Sequence, residues 1–90
     1  MISGVVGQIK WSYYIAAAIH GYTVTREGPR AFLVRGTVVM SDPFKLSQRP
    51  LVFVAPHAKG EWRWPILDFE LRDGVVTARL GAPEGDHRWR

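Results

Sequence analysis

Cysteine is absent from the 90 residues, which removes disulfides, thiolate metal sites, iron–sulfur clusters and a cysteine nucleophile together. Long apolar runs are missing too. The longest stretch without a formal charge, Trp11 to Thr25, holds Ser12, His20, Gly21 and Thr23, and it falls short of the roughly 20 apolar residues that cross a bilayer. No membrane association is expected. Lys10 interrupts the first hydrophobic residues before a secretory core forms, so the expectation is a soluble, cytoplasmic chain. Lysine itself is scarce: nine of the twelve cations are arginine, set against eight acids for a net charge of +4. The arginine fork suits phosphate and carboxylate alike, which admits both nucleic acid and acidic protein surfaces as partners.

Groups that carry catalysis are thin. His20, His57 and His87 share none of the short spacings that place two metal ligands on one element. The four serines, at positions 3, 12, 41 and 47, form no G-x-S-x-G elbow, and Gly4-x-x-Gly7 lacks the Lys-Ser/Thr ending of a phosphate loop. Asp68 and Glu70 project about 7 Å apart from one side of an alternating segment, between the spacings of retaining and inverting glycosidases. Opposite charges such as Arg79 or Arg63 on a neighbouring strand make them a solvated, paired face instead. The expectation is a protein that is not an enzyme and holds no metal and no cofactor.

What the chain does have is alternation. Val5, Gly7, Ile9 and Trp11 fall on one side of a first strand. Trp11, Tyr14, Ile15, Ala18, Ile19 and Tyr22 then follow a helical spacing, which predicts a short helix over 13–20 with Ser12 and Gly21 at its ends. The same residues also suit a long strand from Tyr13 to Thr25. Arg26 to Arg30 supplies turn chemistry before the strongest strand, Ala31 to Met40, where Gly36 suggests a bulge or bend. Short strands follow at Leu51–Val54, closed by Pro56, and at Glu61–Trp64, closed by Pro65. Finally Leu67, Phe69 and Leu71 alternate up to Asp73-Gly74, a type I′ turn, and Val76, Ala78 and Leu80 alternate after it. Some six or seven strands predict a mainly β fold: a small antiparallel sheet curling into a barrel, with one short helix. Residues 1–80 read as a single domain and 81–90 as a basic tail containing Gly and Pro.

Two stretches stand out as candidate contact sites. Residues 41–50 lie between prolines and carry Phe44, Leu46 and Arg49, either as a helical turn over the barrel mouth or as a contact loop with apolar teeth. Trp62 and Trp64 share one face of their strand. Sealing the core is their first reading, because a 90-residue domain needs its largest side chains for burial; stacking on bases or anchoring a partner are the others.

The combination Trp11-Ser12-Tyr13-Tyr14, Phe44-Lys45-Leu46-x-Gln48-Arg49-Pro50-Leu51-x-Phe53 and Gly60-Glu61-Trp62-Arg63-Trp64-Pro65 resembles uncharacterised small proteins of tailed-phage and prophage genomes. The resemblance implies a capsid, connector or tail accessory, located in the virion, and it carries over no functional residue. Two functional expectations result. The first is a structural or interaction module that contacts other protein subunits, as a homo-oligomer or within a larger assembly, through Phe44, Leu46 and Arg49. The second is a nucleic-acid-binding barrel in which Trp62 and Trp64 stack on bases while Arg63, Arg72, Arg79 or Lys59 meets phosphates.

Overall fold

A computed structural model of the chain describes residues 2–57 and 60–83. Six antiparallel strands form a closed, barrel-like ring in the order β1-β2-β3-β6-β5-β4. They are β1 (Ile2–Trp11), β2 (Tyr14–Gly28), β3 (Ala31–Ser41), β4 (Val52–His57), β5 (Gly60–Arg72) and β6 (Val75–Leu80), with one helical turn, α1 (Pro43–Leu46), between β3 and β4. Of the expected tail, residues 84–90 lie outside the described residues.

The helix expected over 13–20 is instead the first half of β2, as the strand reading had it. Its helical spacing comes from irregularities in a strand. Ile9 pairs with Ala17 but Lys10 with Ile15, so Ala16 is an extra residue against β1. His20 pairs with Thr37 but Thr23 with Arg35, so Gly21 and Tyr22 together face Gly36 on β3. Each insertion shifts the alternation by one, and the buried positions become Ala16, Ala17, Ile19, Tyr22 and Val24. Steps of one, two and three residues imitate a helix. The bulge suspected at Gly36 is therefore present, but its extra residue belongs to β2, where Gly21 supplies a φ of +65°.

A second correction concerns the two strands expected on either side of Pro65. They are the single strand β5, which runs through that proline. Leu51 accepts a hydrogen bond from the Ile66 N–H and Pro65 accepts one from Gly81, while Pro65 itself pairs in register with Val52. The missing proline N–H falls on the side away from β4, where no ladder needs it. Leu67, expected inside, is displaced at a register shift between Ile66 and Asp68 and stands 60% exposed. Beyond that shift Phe69 packs against the core, whereas Leu71, the next in the alternation, is 44% exposed. The β5–β6 hairpin turns on Asp73 and Gly74, with φ of +53° and +76°, the left-handed pair a type I′ turn requires.

The core fills the ring with Ile9, Ile19, Phe53, Trp64, Leu51 and Leu80 among its most buried members, and it includes no buried polar or charged side chain among the described residues. Trp64 lies 5.9 Å from Phe53 and 5.6 Å from Trp62, ring centre to ring centre. Core sealing is thus what the two tryptophans do. Tyr22 occupies a socket made by small residues: a Cβ at Gly4 would lie 2.6 Å from its Cζ, one at Gly7 3.1 Å from its Cδ2, and one at Gly36 3.2 Å from its Cα. Burial pushes the Tyr22 hydroxyl above its ordinary pKa.

Ladder lengths around the ring are unequal. Only Gln8–Lys10 pairs with Val52–Val54 between β1 and β4, against six to nine register pairs in the other ladders. Proline explains the short joint. Leu51 turns its carbonyl toward β5, so Val52, Val54 and Pro56, of opposite parity, turn their backbone groups toward β1. Pro56 has no N–H to give, and the ladder stops at Val54. A cleft of about 330 Å³ opens there, lined by Val6, Gly7, Gln8, Val54, Pro56 and Glu61.

Candidate functional site

Of the exposed large apolar side chains, the aromatic ones Tyr13, Tyr14 and Phe44 lie on the β1–β2 turn and α1, while Val5, Val6, Val39, Met40, Leu67 and Leu71 lie along the strands. Trp11 and Tyr14 are the last register pair of their hairpin, and Ser12 takes the tight turn with a φ of +56°. The turn throws Tyr13 outward, 91% exposed, beside Tyr14 at 55%. Trp11, half-buried against the core, lies 5.7 Å from the Tyr14 ring. From α1 the Phe44 ring, 68% exposed, meets Trp11 edge-on at 6.4 Å. Four rings therefore share one end.

The helical turn is fixed by its cap. Asp42 Oδ1 accepts from the N–H groups of Phe44 at 3.0 Å and Lys45 at 3.2 Å, and Pro43 fills the first helical position, where no N–H is needed. The Asp42 N–H donates to Ala16 at 2.8 Å, tying the turn to β2. A two-sided segment results. Leu46 faces inward at 9% exposure while Phe44 faces solvent, so the segment both covers the barrel mouth and presents a tooth. Lys45 Nζ sits 3.2 Å from Asp42 Oδ2 and 5.6 Å from the centre of the Tyr14 ring.

Of the three residues expected to meet a partner, Phe44 and Arg49 are exposed and Leu46 is buried. Leu46 is corrected to a core residue, since its apolar side chain closes the ring. Arg49 is turned into its own loop: Nη1 donates to the carbonyls of Leu46 at 3.0 Å and Gln48 at 2.7 Å, and the guanidinium lies 5.8 Å from the Phe69 ring centre. Trp64, at 0% exposure, has no ring face left for a base, and Trp62 is partly buried against it. The arginines named for phosphate are spread over the outer wall and each faces a carboxylate: Arg63 with Glu61 at 3.6 Å, Arg72 with Glu70 at 3.3 Å, and Arg79 in a fork with Asp68. Lys59 lies outside the described residues. Among the described residues no group of three or more His, Asp or Glu is placed to hold a metal ion, and no helix is long and apolar enough to cross a membrane.

Tyr13 and Tyr14 are the residues sequence reasoning missed. Their turn carries neither Gly nor Asn, and the helical spacing of their neighbours concealed it. The α1 start, by contrast, was marked by Ser41-Asp42-Pro43, a cap residue followed by a first-position proline.

The electrostatics give one measurable consequence. Hydrogen bonds from Arg79 hold the Asp68 carboxyl below the usual carboxylate range, and the Lys45 backbone N–H, then its side chain, does the same for Asp42. A depressed folded pKa contributes stability that is present above the unfolded value, about 4, and is lost as pH falls through the folded one. The melting temperature should therefore drop between about pH 5 and pH 2, and the double substitution Asp42→Asn with Asp68→Asn should flatten that slope while keeping the cap acceptor. Identical slopes for the two proteins would refute the linkage.

Comparison with protein-family models, curated proteins and solved structures returns no match to this chain.

Proposed function

We propose that this chain is a non-enzymatic interaction module that docks protein partners through its aromatic end, in the virion-assembly or accessory setting its phage-type resemblance implies. The supporting observation is the exposure of Tyr14 and Phe44 against Trp11, with Tyr13 projecting from the adjoining turn. Burying each such ring is worth roughly 1.5–3 kcal/mol, a gain the isolated fold forgoes at three neighbouring positions. Contiguous apolar surface of this kind on a small domain is the usual mark of a docking site. Tyrosine and phenylalanine on a capped turn also lose little freedom when a partner arrives.

At this end Asp42 answers Lys45 at 3.2 Å. The nucleic-acid alternative lacks a stacking face at Trp64, which is wholly buried.

A photoreactive benzoylphenylalanine tests the docking reading. Placed at position 13, it should cross-link a partner in cells that make the protein, whereas the same group at exposed Thr25 should not. Phe44→Ala should abolish the adduct. With the cross-linked partner purified, Tyr13→Ala combined with Phe44→Ala should weaken binding by about 100-fold or more, as loss of two aromatic anchors does. An adduct independent of Phe44, or equal yields from positions 13 and 25, would end the proposal.

A further inference from the structure

We infer that the partner at the aromatic end presents an acidic segment of protein chain, with carboxylates on either side of an apolar side chain; the inference rests on the docking reading above and adds the partner's chemistry. The two segments that carry the rings, Lys10 to Ile15 and Asp42 to Arg49, hold three cations and one anion. The anion is already engaged. Asp42 caps α1 through the Phe44 and Lys45 N–H groups and sits 3.2 Å from Lys45 Nζ, so that pair is close to neutral. Lys10 and Arg49 remain unanswered. Among the described residues neither forms an ion pair, and every salt bridge other than that of Asp42 lies on β5 and β6.

Their position makes this excess usable. Lys10, half-exposed, directly precedes Trp11, and because Ile9 and Trp11 face the core on either side of it, its side chain leaves by the outer wall beside the turn. Arg49 is exposed on the segment that carries Phe44. Its Nη1 donates to two uncharged carbonyls, Leu46 at 3.0 Å and Gln48 at 2.7 Å, which orients the guanidinium without neutralising it. A carboxylate takes such a planar donor in a charge-assisted bond. The phenol hydroxyls of Tyr13 and Tyr14 add two more donors, and the projecting Phe44 ring supplies the apolar contact.

Phosphate polymers fit this surface less well. A nucleic-acid strand needs a row of cations along its backbone and open ring faces, whereas here Asp42 stands among the cations and Lys45 lies over the Tyr14 ring at 5.6 Å. A second copy would bring the same unanswered cations and its own +4. An acidic segment meets neither obstacle, and the field of a positive chain also steers its approach.

Random peptides of about a dozen residues, displayed and selected on the purified full chain, test this without prior choice of sequence. The captured peptides should carry Asp and Glu at about twice their frequency in the unselected library or more, together with an aromatic or aliphatic residue. The most enriched peptide, synthesised with a fluorophore, then reports affinity by polarisation. Lys10→Glu with Arg49→Gln should weaken its binding by about tenfold at about 50 mM salt, and the deficit should shrink at about 500 mM as the charges are screened. If that pair fails to fold by far-ultraviolet circular dichroism, Lys10→Glu alone should weaken binding by about threefold. Phe44→Ala should weaken it at both salts alike.

A library that yields no captured peptide, captured peptides without an acidic excess, or an affinity untouched by the Lys10 and Arg49 substitutions overturns the acidic partner. Oligothymidylate or phosphatidylserine vesicles bound more tightly than that peptide at about 150 mM salt overturn it too. In each of these cases a Phe44-dependent adduct at position 13 leaves the docking reading standing. Peptides bound independently of Phe44, with no adduct at position 13, retire both.

Discussion

Replacing Trp64 by alanine is expected to remove about 3–5 kcal/mol of folding stability. The side chain is wholly buried and lies between Phe53 and Trp62 at ring distances of 5.9 and 5.6 Å. Its loss removes apolar transfer energy and leaves a cavity that rings on two strands cannot fill by small movements. A 90-residue domain has about 5–13 kcal/mol in total, so this one substitution takes a large share. Urea denaturation with linear extrapolation measures it directly. Trp62→Ala should cost distinctly less, because Trp62 is only partly buried. A Trp64→Ala protein within about 1 kcal/mol of wild type would mean that the ring does not hold the core together as described.

Gly36 is the second sensitive position, and for the opposite reason. A Cβ there would overlap the Ile19 Cγ2 methyl and come within 3.2 Å of the Tyr22 backbone. Ile19 is fully buried and Tyr22 sits at the bulge, so neither neighbour yields freely. Gly36→Ala is expected to destabilise by about 1–3 kcal/mol and Gly36→Val by about 3 kcal/mol or more. Coupling provides the sharper check. Combining Gly36→Ala with Ile19→Ala should cost less than the sum of the two single changes by about 0.5–3 kcal/mol, since the second substitution removes the methyl that the first one strikes. Strict additivity would place the strain elsewhere.

These two positions also show what could be read without coordinates. Trp64 was legible from bulk alone, because so short a chain has no other way to fill its interior. The β5–β6 hairpin was legible because Asp73-Gly74 encodes its turn locally. Strand β3 alternates as read through Phe32, Val34 and Gly36, but Met40, expected on the same face as these and Val38, is 48% exposed beyond the register shift that inserts Val39. Strand β2 was ambiguous because Ala16 and Gly21 are inserted against different neighbours, and an insertion is a property of two strands together. The same limit hid Leu67, whose displacement depends on Arg79 and Leu80 across the ladder. At the docking end, Phe44 and Leu46 looked equivalent in sequence; their separation inward and outward depends on the direction in which Asp42 starts the turn.

Pro56 gives the ring an unequal circumference, and that has a mechanical meaning. Five joints are long and one is held by three residues, so the molecule is a curled ribbon whose two margins touch rather than a uniformly closed tube. Strain applied from any side concentrates where the margins meet. Unrolling there sacrifices the shortest ladder and leaves the remaining five strand pairs intact, which makes parting of that join the least expensive distortion open to the fold.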